Sequence, residues 1–142
     1  MFFFFLGARE SFDSPELERL ARVLEIAQSR HRGMTLSMLT TLLRIGLTPT
    51  QEGQLISVSD LVTRFPDQTY STVARQLDLL GDGTAKSPGP GLVEKQADPS
   101  DRRVRHVAIS AAGRMLLHEL DLALSPGLLG QANGKTRQEH TP

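Results

Sequence analysis

The segment Asp98-Pro99-Ser100-Asp101-Arg102-Arg103-Val104-Arg105-His106 places Arg102, Arg103 and Arg105 within four positions, between two stretches that read as strands. A guanidinium at a hairpin tip can enter the minor groove of a duplex, where negative potential concentrates. Asp101 stands two residues before Arg103 and can hold it, fixing the tip. Earlier in the chain, Ser71, Thr72 and Arg75 fall near the start of an amphipathic helix, on the side away from its apolar stripe. Short hydroxyls and an arginine in that place suit phosphates and base edges in a major groove. Gln68, in the preceding turn, is a weaker candidate. Tyr70 lies at the edge of the stripe and serves either packing or a phosphate. His106 neighbours the arginines on a strand, where it serves either a phosphate contact or, the favoured reading, a plain surface role.

Other chemistries find no support in the sequence. His31, His106, His118 and His140 are scattered without ligand spacing, so no metal site is expected. Gly134-Lys135-Thr136 resembles the end of a phosphate loop, but Leu129 stands where the first glycine is required. There is no G-x-S-x-G elbow, and Asp98 and Asp101 sit beside arginines rather than in a cleft. No catalytic residue and no cofactor are therefore expected. The absence of cysteine excludes disulfide scaffolds, thiolate zinc sites and thiol redox sensing, and suits a reducing, cytoplasmic setting. With 16 cations against 16 anions, no global field attracts nucleic acid, so any such attraction must be local. The run Phe2–Leu6 is too short for a signal sequence or a membrane span. It is either a disordered arm or part of a subunit interface.

The elements that must position these residues follow from caps and periodicity. Ser14-Pro15 starts a helix, with Leu17, Leu20, Leu24 and Ala27 at helical spacing, which runs to about residue 31 before Gly33. Thr35 caps a second helix that Gly46 and Pro49 end. Residues 48–54 read as a polar loop. Ser59-Asp60 opens a short third helix with Leu61, Val62 and Phe65 inward. Thr69 caps a fourth, reaching Leu80, whose core stripe is Val73, Leu77 and Leu80. Residues 81–91, GDGTAKSPGPG, read as a flexible loop without regular structure. A strand at Leu92–Lys95 and another at Val104–Ile109 form a hairpin, and Ser110 caps a last helix ending near Ser125.

A short helix, a turn, a second helix and a two-stranded wing make a winged helix-turn-helix. The fold class expected is mainly α with a small β wing (α+β). Gly91-Leu92-Val93-Glu94-Lys95, then Asp98-Pro99-Ser100-Asp101-Arg102-Arg103, then Ile109-Ser110-Ala111-Ala112-Gly113 resemble the G-L-V-x-R, D-P-x-D-R-R and L-T-x-x-G motifs of the MarR family. Ser59–Val62 resembles the first helix of its helix-turn-helix, and Ser71–Leu80 its recognition helix. The resemblance spans roughly residues 34–117.

It implies a sequence-specific transcriptional regulator, a repressor in the leading reading, that binds a palindromic operator in double-stranded DNA as a homodimer. First and last helices would form the dimerisation region. The chain then divides into a Phe-rich arm (1–13), a dimerisation helix (14–33), the winged helix-turn-helix (34–109), a second dimerisation helix (110–125) and a disordered tail (126–142). Many members release DNA on binding a small anionic or phenolic ligand. Two departures stand out: a Gly/Pro-rich insertion around 82–90, which bears on where the wing sits relative to the helix, and a final helix shorter than the family's, which shortens the dimer region, so that no effector site is carried over; whether an effector exists stays open. No membrane association is expected. The alternative is a winged-helix module that binds protein, with the arginines as its rim.

Overall fold

The computed structural model describes residues 12–50 and 55–126. The Phe2–Leu6 run, positions 51–54 and the tail from 127, with Gly134-Lys135-Thr136 and His140, lie outside the described residues. Five helices and five short strands are described, in the order α1 (Pro15–Arg30), α2 (Leu36–Leu47), β1 (Ile56–Ser57), α3 (Val58–Val62), α4 (Tyr70–Leu80), β2 (Gly83–Thr84), β3 (Ser87–Pro88), β4 (Val93–Ala97), β5 (Arg105–Ile109) and α5 (Ala111–Leu124).

Four helix starts follow the local chemistry of their caps. The Leu17 amide donates to Ser14 Oγ at 3.2 Å, Met38 to Thr35 Oγ1 at 3.2 Å, Thr72 to Thr69 Oγ1 at 3.3 Å and Gly113 to Ser110 Oγ at 3.1 Å. Each hydroxyl satisfies a donor that the helix itself leaves open. The third helix starts earlier than its Ser59-Asp60 signal suggests. Ser57 is the cap, accepting from the Asp60 amide at 3.0 Å. The reason is tertiary: β1 pairs with β5 through Ile56 and Ser57, and the chain turns into the helix where that pairing ends.

The second difference is larger. Residues 81–91 form ordered structure. Gly83 and Thr84 pair antiparallel with Pro88 and Ser87. The Gly89 amide donates to Asp82 O at 2.8 Å, Gly91 to Gly81 O at 2.9 Å and Leu92 to Leu80 O at 2.7 Å. Gly83 adopts φ +87°, a left-handed conformation that a side chain resists. The glycines and prolines that suggest flexibility thus build a tight hairpin that closes on itself.

The wing is the outer part of a three-stranded antiparallel sheet of order β1-β5-β4, with Val93 opposite Ile109 and Lys95 opposite Val107. Val93 and Val107 are buried, as are Val73, Leu77 and Leu80 of α4 and Leu61 of α3. One core therefore joins the helix-turn-helix to the base of the wing. On the other side α1 packs against α5. Val23 and Ala27 on α1, and Leu116 and Leu120 on α5, are buried there. Arg30 and Glu119 form a bidentate pair at 2.8 and 3.0 Å, which raises the guanidinium pKa and lowers that of the carboxyl. The pair is well exposed, so it contributes little to stability.

Gly113 explains part of the Ile109–Gly113 motif. A Cβ there would collide with the backbone oxygen of Leu92, which also accepts from the Ser110 amide at 3.1 Å. At Gly46 the nearest obstacle to a Cβ is the mobile end of Leu117, at 2.6 Å. Gly113→Ala is expected to destabilise the fold by about 1–3 kcal/mol, the usual cost of overpacking a rigid site, and Gly46→Ala by clearly less. Thermal or denaturant unfolding of the two variants checks the order.

Candidate nucleic-acid interface

The buried stripe of α4 decides what the helix shows outside. With Val73, Leu77 and Leu80 fully buried, Ser71, Thr72 and Arg75 are exposed. These three line one shallow concavity with Thr35 and Ser37 from the start of α2. Tyr70, the first residue of α4, is 47% exposed. Gln68 is half-buried, and its side-chain oxygen is buried without a hydrogen-bond partner among the described residues. It is the least available of the five helix candidates.

Arg102, Arg103 and Arg105 are all exposed. Among the described residues none of them enters an ion pair, because the ion pairs use other side chains. Asp101 does hold Arg103, through the backbone: the Arg103 amide donates to Asp101 Oδ1 at 3.0 Å. The guanidinium is left to solvent.

The turn beneath the arginines is built on Asp98, the first residue of the Asp98–Arg103 motif. Its Oδ1 accepts from the Ser100 amide at 2.7 Å, the Ser100 hydroxyl at 2.5 Å and the Asp101 amide at 3.3 Å. Its Oδ2 lies 2.9 Å from His106 Nε2. The Ser100 hydroxyl above all, then the His106 ring and the Ser100 amide, hold the carboxyl well below the usual carboxylate range, against an opposing effect of burial. His106 is half-buried, its side chain 19% exposed and turned to Asp98 rather than free in solvent. An Asp-x-Ser at the start of the turn carried the signal for the Asp98 cluster. Nothing local pointed to His106, because its role depends on strand register.

Two links set the wing beside the helix. Lys95 on β4 forms an ion pair with Asp78 on α4. On a 100° wheel Asp78 falls within about 60° of Ser71 and Arg75, on the outer side of the helix. The Leu92 amide also bonds to Leu80 O, at the point where α4 ends and β4 is about to begin. One side-chain contact and one backbone contact thus tie the base of the wing to α4.

No protein-family model and no curated protein matches the sequence. Among solved structures the chain is similar to RV1404 from Mycobacterium tuberculosis, with a TM-score of 0.54 and 14% identity over 95% of this chain and 86% of the other. That likeness is one of fold. The chain is also similar to MarR, at 20% identity over 90% of this chain and 85% of that one, with a TM-score of 0.47. BpsR from Bordetella bronchiseptica, whose DNA binding 6-hydroxynicotinic acid regulates, gives 20% identity over 89% and 83%, with a TM-score of 0.48. The architecture, mainly α with a small β wing in winged helix-turn-helix order, is as expected from the sequence.

The lowered Asp98 pKa has a definite sign. A carboxyl whose folded pKa lies below its unfolded value stabilises the folded turn fully above about pH 3.9, and that contribution is lost progressively as pH falls from there through the folded value. The Asp98 carboxyl is expected to titrate below the usual carboxylate range. The Ser100 amide should keep its native shift until Asp98 protonates. Carboxyl-detected and amide NMR titrations check both.

Proposed function

We propose that the chain is a DNA-binding transcriptional regulator of MarR type and not an enzyme. It acts as a homodimer on a palindromic operator and represses by occupying it. The observation that carries this reading is the coupling of α4 to the wing through Lys95–Asp78 and Leu92–Leu80, which sets exposed Ser71, Thr72 and Arg75 and the exposed wing arginines on one unit. The helix face would read base edges in a major groove. Arg102, Arg103 and Arg105 would meet backbone and minor groove beside it. Tyr70 would add a phosphate contact at the helix start, and Gln68 at most a marginal one. The balanced net charge leaves affinity to these local cations.

Two-fold pairing would place the two α4 helices about one helical turn of DNA apart, roughly 34 Å. Leu17 and Leu20 on α1, and Leu122 and Leu124 on α5, are large apolar side chains left exposed on the helix pair assigned to dimerisation. An apolar groove among Leu47, Ile56, Ile109, Leu117 and Leu124 supports the second reading, a module that binds protein. No described helix is long and apolar enough to cross a membrane.

Retention on duplex DNA at low salt, with release as salt rises, separates the two readings, since phosphate contacts are lost with salt. Arg103→Ala is expected to weaken binding to all sequences and to reduce the slope of log affinity against log salt by about one. Arg75→Ala is expected to cost about 1–3 kcal/mol on the preferred sequence and to relax base preference. Fluorescence titration on duplexes recovered from a random pool measures both, and a recovered palindrome reports the dimer. Unchanged binding in both variants would remove these residues from the interface.

A further inference from the structure

We propose that His106 is a positioning residue for the wing: from its seat on the central strand it clamps Asp98 and, through it, sets where the arginine tip stands. The proposal rests on the DNA-binding reading for its functional consequence, but its structural half can be tested without DNA.

The geometry gives His106 a root that the rest of the tip lacks. It lies on β5, the central strand, opposite Ser57 of β1 on one side and Gln96 of β4 on the other. Asp98 follows the end of β4 and belongs to the turn. The 2.9 Å bond from Nε2 to Asp98 Oδ2 is the side-chain tie between that turn and the sheet centre. Because the Asp98 carboxylate can only accept, the imidazole is the donor.

From there the bonds run outward. Asp98 Oδ1 holds the amides of Ser100 and Asp101. Asp101 holds the Arg103 amide through Oδ1 at 3.0 Å and the Val104 amide through its backbone oxygen at 3.0 Å. Arg103 thus stands at the end of a chain of bonds that starts at His106. A direct phosphate contact is a poorer use of the ring. Nε2 is engaged by Asp98, and Nδ1 is buried with no partner among the described residues. Reaching a phosphate would require breaking the clamp.

The test compares His106→Leu, which fills the site without a donor, with His106→Gln, whose amide restores one. In the free protein, amide hydrogen exchange at Ser100 and Asp101 should speed up in the leucine variant and return toward the native rate in the glutamine variant, with unchanged protection at Leu77 in α4. Duplex affinity of the leucine variant should fall between about two- and tenfold, the range expected for one hydrogen bond, with rescue by glutamine. The loss should vanish in an Arg103→Ala background and persist in full with Arg75→Ala. Equal loss in both backgrounds, or exchange at Ser100 and Asp101 unchanged by leucine, would overturn the proposal. If the wild-type chain fails to bind duplex at low salt, the DNA-binding reading falls, while the exchange rates still decide whether His106 clamps the turn.

Discussion

Burial of Val73, Leu77 and Leu80 is the constraint from which the candidate surface follows. Full burial of one such side chain is worth about 1.5–3 kcal/mol, so the rotation of α4 about its axis is not free to change. Once the stripe is turned in, Ser71, Thr72 and Arg75 are turned out, and no interaction of their own is needed to orient them. The same core accepts Val93 and Val107 from the base of the wing. Apolar packing therefore places both halves of the candidate surface, and the polar groups refine what packing has already set.

The division of labour is visible in the ion pairs. Lys95–Asp78 and Arg30–Glu119 are each well exposed to solvent, and pairs of that kind contribute at most about 1 kcal/mol. Their value is directional: one registers β4 against α4, the other registers α1 against α5. The closed hairpin at 81–91 acts in the same direction. It converts what would be a slack connection into a fixed spacer between helix and wing, because the amides of Gly89, Gly91 and Leu92 all return to carbonyls at the end of α4 and just beyond it. Asp98 does the equivalent at the tip, where four hydrogen-bond contacts converge on one carboxyl.

The parts of the fold that were legible beforehand are those governed by near neighbours. Ser14, Thr35, Thr69 and Ser110 each cap the helix that follows, since a hydroxyl reaching an amide three residues on needs no other part of the chain. The α4 stripe was legible from its spacing, and the wing strands from alternation and from the turn residues between them. Ser57 was hidden behind the stronger signal Ser59-Asp60, because the strand that fixes the start of α3 exists only when β5 is beside it. The Gly/Pro-rich segment misled for a related reason. Composition reports how many conformations glycine permits; the carbonyls of Gly81, Asp82 and Leu80 select one of them.

The order of elements, the inward stripe of α4 and the concentration of arginines at a turn are legible in the chain without its fold, because each is a property of residues a few positions apart. Long-range packing sets the wing against the outer edge of α4, closes residues 81–91 into a hairpin and turns His106 to Asp98. Those facts depend on strand register and on helix-to-strand packing, and both arise from contacts between residues distant along the chain, whose pairing no local pattern encodes.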